Sequence, residues 1–167
     1  REVASKAGEV ADGMLMSAGF SVPFVENCLK LFREGAGQAG RDASALRTAA
    51  FIHFSVSEDG KSAREDVRRK LAFLFRNRLM AENIASSGIS IDQDAIVDAV
   101  AARDLDKAAT YVPDEAIEAF GVAGTVADCK KSLEAYVATG LDEPVIQVAG
   151  DEAAKTLALQ VIREFTG

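Results

Sequence analysis

Thr48-Ala49-Ala50-Phe51-Ile52-His53-Phe54-Ser55-Val56 is the stretch that decides the fold. Apolar side chains dominate it, with a polar group only at Thr48, His53 and Ser55. That is the composition of a strand covered on both faces in a parallel sheet. Alternation places Ala50, Ile52, Phe54 and Val56 on one face, suited to packing against helices. Phe51, His53 and Ser55 fall on the other. Beyond Ser57 the apolar period lengthens. Val67, Leu71, Leu74 and Phe75 recur at helical spacing, which predicts a helix of roughly 25 residues running on from the strand.

The same alternation of strand and helix extends in both directions. Upstream, residues 1–11 read as a helix with Val3, Ala7 and Val10 on one stripe, broken at Asp12-Gly13. Met14-Leu15-Met16 is a short buried strand. Ser21 is an N-cap candidate with Pro23 in the first turn. Val25, Cys28, Leu29 and Phe32 then form an amphipathic stripe that Gly40 stops. Downstream, Gly88 interrupts the long helix. Asp92 caps the next one, with Ile91 and Ile96 as a hydrophobic staple. Two or three short helices fill residues 93–120, the last from near Pro113. Thr125 to Asp128 reads as a capping box. Its helix buries Cys129, Leu133, Tyr136 and Val137 and ends at Gly140. Val145 to Val148 is a third strand, and Asp151 caps a final helix buried through Ala154, Leu157, Val161 and Phe165.

Strands alternating with helices imply parallel βα units and an α/β fold. Three parallel strands alone leave both sheet edges open. A (β/α)8 barrel takes about 250 residues, and this sequence has 167. The order therefore reads as the last three units of a TIM barrel, a single partial domain over residues 1–167. The chain opens at Arg1 without Met and already in helical sequence, as expected of a piece of a longer protein. No signal peptide is expected at its start.

Composition narrows the function. Hydrophobic residues make up 49% and charged residues 27%, the balance of a globular chain. No apolar run reaches the roughly 18 residues of a membrane span. The formal charge of −7, from 19 Lys and Arg against 26 Asp and Glu, disfavours a nucleic-acid binder. The basic run from Lys61 to Lys70 carries Glu65 and Asp66 and no aromatic residue, so it is expected to be a solvated helix face. Cys28 and Cys129 stand in no metal-ligand spacing and sit on apolar stripes. Core positions in a reducing cytoplasm are the simplest reading, with no metal site.

Four stretches resemble the luciferase-like monooxygenase superfamily: Ala7-Gly8-Glu9-Val10-Ala11-Asp12-Gly13 before Met14-Leu15-Met16; Ala39-Gly40-Arg41-Asp42 leading to Ala49–Val56 and Ser57-Glu58-Asp59; Val112-Pro113-Asp114 running to Val122-Ala123-Gly124-Thr125-Val126-Ala127-Asp128; and Ala138-Thr139-Gly140-Leu141-Asp142-Glu143. Their order and spacing span nearly the whole chain. The chain is most similar to the coenzyme F-420-dependent branch, which includes methylenetetrahydromethanopterin reductase. The resemblance implies the C-terminal part of a barrel, about strands six to eight. It also implies coenzyme F-420 or FMN as cofactor, a small-molecule substrate and flavin- or deazaflavin-dependent oxidoreductase activity. The family's glycine-containing phosphate loop and most groups around the reactive ring belong to segments that would precede Arg1. A non-catalytic half-barrel that pairs its open edges with a partner or with itself, as a homo-oligomer, is the rival reading.

In such barrels the site lies at the C-terminal ends of the strands. Three clusters qualify as pocket candidates. After the first strand come Ser17, Ala18, Gly19 and Phe20; Ser17 can donate a hydrogen bond and Phe20 can line an apolar wall, or the segment is an ordinary turn that needs Gly19. On the second strand, His53 and Ser55 face the barrel interior. His53 is the only histidine and the natural proton carrier, or else a hydrogen-bonded core residue. On the third, Gln147 points inward with an amide that neighbours or a ligand must satisfy. Asp151 and Glu152 at the last helix N-terminus suit the helix dipole and repel a phosphate there. No residue stands out as catalytic.

Overall fold

The computed structural model of the protein describes residues 2–17 and 19–166. The first elements are α1 (Glu2–Val10), β1 (Gly13–Met16), α2 (Val22–Gln38) and β2 (Arg47–Val56). A run of helices follows: α3 (Lys61–Phe75), α4 (Ala81–Ser87), α5 (Gln93–Ala101), α6 (Leu105–Thr110) and α7 (Asp114–Phe120). The chain closes with β3 (Val122–Gly124), α8 (Val126–Ala138), β4 (Glu143–Val148) and α9 (Glu152–Thr166).

All strand pairings are parallel and all run through β2. β4 lies along one edge of β2, with Phe51 opposite Val145 and His53 opposite Gln147. β1 lies along the other edge, with Leu15 opposite Ala49. Phe54 pairs with both Val122 and Val148, so β3 continues β1's side of the sheet at the C-terminal end of β2. The outer edges of β1 and β4 have no strand partner among the described residues.

Helices cover one face of this sheet. Ala50, Ile52, Phe54 and Val56 pack against Val25 and Leu29 of α2, Cys129, Leu133 and Tyr136 of α8, and Ala158 and Val161 of α9. This is the face that the alternation of β2 assigned to helices. A second core lies in the excursion between β2 and β3. There Val67, Leu71 and Phe75 of α3 meet Ile96, Ala108, Ile117 and Phe120, and the rings of Phe75 and Phe120 stand edge to face at 5.0 Å.

The local caps form as the sequence implies. Asp92 accepts from the Ala95 amide at 3.0 Å and Asp151 from the Ala154 amide at 3.0 Å. Thr125 and Asp128 complete a reciprocal capping box. Cys129 is buried and Cys28 partly so, both against the sheet core.

Several expectations are corrected. The 25-residue helix is really three pieces. α3 stops at Phe75, a single 3-10 turn spans Arg78–Met80 and α4 follows, because the Asn77 side chain accepts from the Leu79 amide and starts a new turn. β3 is a fourth strand, over residues to which the sequence assigns no element, since three residues carry no period. α1 does not bury Val3 and Val10, which are 82% and 70% exposed, but Ala4 and Gly8. The reason is close approach to α2. A Cβ on Gly8 would lie 1.9 Å from the Phe32 carbonyl oxygen, and one on Gly35 would lie 2.0 Å from that of Ser5. Ser21 holds the N-cap position of α2 with no side-chain cap bond; its hydroxyl is engaged elsewhere. Finally, the basic run is not simply solvated. Arg68 donates to the Val112 carbonyl and to Asp114, and Asp66 turns toward the sheet.

Candidate functional site

The face of the sheet opposite α2, α8 and α9 carries a concave hollow of about 420 Å³. Leu15, Met16 and Ser17 from the end of β1, Phe51 and His53 from β2, Leu74 from α3 and Gln147 from β4 line it. Register explains the grouping. His53 and Gln147 are direct partners on adjacent parallel strands, so their side chains share a face. Leu15 also lies on this face and is 61% exposed, with no layer over it among the described residues.

α3 edges the same face through a stripe at i, i+4 and i+8. Asp66 accepts a hydrogen bond from the Ser55 hydroxyl at 3.0 Å, the charge of Lys70 acts on His53, and Leu74 lines the hollow. The sequence reading placed Leu74 on a buried stripe and Asp66 on a solvated one. The spacing of 66, 70 and 74 was the available signal for their common direction.

His53 is 5% exposed, and its Nε2 is buried without a hydrogen-bond partner among the described residues. Burial pushes the imidazole down to about 4, and the charge of Lys70 adds to the effect. The ring is therefore neutral at pH 7. It is a hydrogen-bonding group there and a poor proton carrier, contrary to what its ordinary titration range suggests.

The other candidates separate. Ser17 is exposed at the rim. Gln147 is exposed as well, so its amide lacks the burial that the sequence reading assumed. Ser55 is fully buried and bonds Asp66 and, at 3.4 Å, the Ala149 carbonyl; it does not line the hollow. Phe20 packs on Phe24 with ring centroids 4.9 Å apart and bridges the two cores instead of lining the hollow. Gly19 is buried at φ +82, a left-handed conformation suited to glycine, against Leu74. Ala18 lies outside the described residues.

What holds this loop is a group that sequence reasoning missed. Asn83 of α4 is 1% exposed. Its Oδ1 accepts from the Ser21 amide at 3.0 Å and the Ser21 hydroxyl at 3.2 Å, and its Nδ2 donates to the Gly19 carbonyl at 2.7 Å. From the other side the Tyr136 hydroxyl donates to the Phe20 carbonyl at 2.9 Å. No local pattern marks a pairing across 62 residues.

A larger hollow, about 620 Å³, lies past the C-terminal ends of β2 and β4, between α3 and α9. Glu58, Asp66 and Asp151 give it an acidic lining, and Asp151 already caps α9. That surface suits no phosphate.

The model of the luciferase-like monooxygenase family matches residues 1–143. This chain belongs to that family. It is 29% identical over 166 residues to the 5,10-methylenetetrahydromethanopterin reductase of Methanopyrus kandleri, covering 95% of this chain and 46% of the relative. The Methanolobus tindarius reductase of the same name is 30% identical over 143 residues, 83% of this chain and 43% of its own. Among solved structures, the coenzyme F-420-dependent tetrahydromethanopterin reductase from Methanopyrus kandleri superposes with a TM-score of 0.79 and 26% identity, over 97% of this chain and 48% of that one. The chain thus spans about half the length of the family members it matches. Its one-sided parallel sheet is part of the family's (β/α)8 barrel, and the uncovered face is the one a barrel turns inward.

Proposed function

We propose that this chain supplies one wall of the substrate and cofactor pocket of a coenzyme F-420- or FMN-dependent oxidoreductase acting on a small molecule. The observation that carries the reading is the hollow itself: a cleft with mixed polar and apolar lining on the inward face of a sheet that superposes on the reductase at a TM-score of 0.79. The lining fits a flat heterocycle. Leu15, Phe51 and Leu74 can exclude water from ring faces, while Ser17, Gln147 and His53 can meet polar ring edges. The acidic end of α9 does not fit the cofactor's phosphate, which must be held by other parts of the protein. When bound, the cofactor supplies the hydride chemistry; the residues of this chain bind, orient and shield.

The test is a titration of the purified protein with coenzyme F-420 and with FMN, followed by quenching of cofactor fluorescence. Saturable binding of either is expected, weakened by Phe51→Asp. Absence of binding for both at millimolar concentration refutes the reading.

A second reading, a half-barrel that closes by self-association, is favoured by the unpaired outer edges of β1 and β4 and by the exposure of Leu15. Sedimentation at micromolar concentration decides it: a homo-oligomer that dissociates on Leu15→Lys supports assembly, and a persistent monomer excludes it.

A further inference from the structure

We propose that the hollow takes an uncharged, ring-like part of a ligand and that His53 is the residue that hydrogen-bonds to it. The inference rests on the pocket reading above and adds what the pocket recognises. Among the described residues no Lys, Arg, Asp or Glu lines the hollow, so an anionic tail finds no counter-charge in its lining and a cationic group finds no carboxylate there. The polar groups present are a serine hydroxyl, a glutamine amide and an imidazole, all of which pair with carbonyl oxygens and ring N–H groups.

Among these the imidazole carries the buried atom without a partner among the described residues. His53 is 95% buried (5% exposed) on the floor of the hollow, and its Nε2 meets no donor or acceptor among the described residues. A buried polar atom left unpaired in a native structure calls for a water or a ligand. Its neighbours do not answer the need: Ser55 is engaged by Asp66 and the Ala149 carbonyl, and Lys70 repels a proton on the ring without bonding to it. Depression of the imidazole to about 4 keeps one donor and one acceptor on the ring through the physiological range. Either can pair with an uncharged ring edge, and neither attracts a phosphate.

Because the chain has a single histidine, labelling it with 15N-histidine gives one imidazole to follow by NMR. The probes are riboflavin and 5-deazariboflavin, both uncharged rings without phosphate, with inorganic phosphate as the contrast. Each ring probe is expected to move the imidazole nitrogen resonances saturably, at the same midpoint that ring-fluorescence quenching reports; phosphate leaves them in place. His53→Phe is expected to weaken ring binding about tenfold, and His53→Gln, which keeps hydrogen-bonding capacity, by less. If a ring binds while the His53 resonances stand still, or if phosphate moves them, this inference falls and the pocket reading survives. If neither ring probe, nor FMN, nor coenzyme F-420 binds, both fall together.

Discussion

Asn83→Ala is the substitution expected to separate the candidate pocket loop from the rest of the fold. The wild-type amide makes three hydrogen bonds across 62 and 64 residues of sequence, to the Ser21 amide, the Ser21 hydroxyl and the Gly19 carbonyl, at a site 1% exposed. Truncation removes all three and leaves their partners buried. Each such bond is worth about 1 kcal/mol net, and a stranded backbone group costs about 1–3 kcal/mol where water cannot reach it. Allowing for partial relaxation, the loss is about 3 kcal/mol. With a urea m-value of about 2 kcal/mol/M for a chain of this size, the unfolding midpoint should fall by about 1.5 M with m unchanged. Asn83→Asp is the sharper control. It keeps the acceptor toward Ser21 and sets a carboxylate oxygen against the Gly19 carbonyl where an N–H stood, so it should cost about as much at pH 7 despite its near-identical shape. A midpoint shift below about 0.3 M for Asn83→Ala, equivalent to less than one hydrogen bond, would refute the claim that α4 pins this loop.

Two further outcomes follow from the same geometry. His53 has a folded value of about 4 against about 6.5 unfolded. Above pH 6.5 the ring is neutral in both states and contributes no slope. As pH falls from 6.5 toward 4 the unfolded chain binds a proton that the folded one refuses, and stability drops by about 3 kcal/mol in all. Urea unfolding between pH 7 and 4 should show this component in the wild type and lack it in His53→Gln; equal slopes would contradict the buried, neutral assignment. Gly35→Ala places a Cβ 2.0 Å from the Ser5 carbonyl oxygen, a backbone atom that cannot swing away. α1 must then lift off α2. Amide hydrogen exchange should speed up across residues 2–10 and leave β2 protected, and unchanged protection of α1 would show that the helices do not cross so closely.

Local signals in the chain were enough for much of this. The alternation from Thr48 to Val56 assigned Ala50, Ile52, Phe54 and Val56 to the helix-covered face and His53 to the other, because a strand's side chains alternate whatever it packs against. The caps at Asp92, Thr125 and Asp151 were equally readable, since a cap closes over three or four residues and needs no distant partner. The four stretches that resemble the luciferase-like family pointed to a partial barrel, and the family match agrees. The site was legible only as a list of residues at strand ends. Docking decided which of them meet. α3 turned Asp66 toward the sheet and tied up Ser55, so one predicted pocket residue became part of a part-buried pair. Phe20 was drawn into the seam between two cores, and the hollow gained Leu74 in its place. Asn83 found Ser21, α1 buried its small residues instead of its valines, and three residues of β3 became a strand only because Phe54, Ser55 and Val56 were there to pair with them. Periodicity and capping are set by neighbours within a few positions and are written in the chain itself; contacts across tens of residues depend on which surfaces come together, and only the assembled fold settles that.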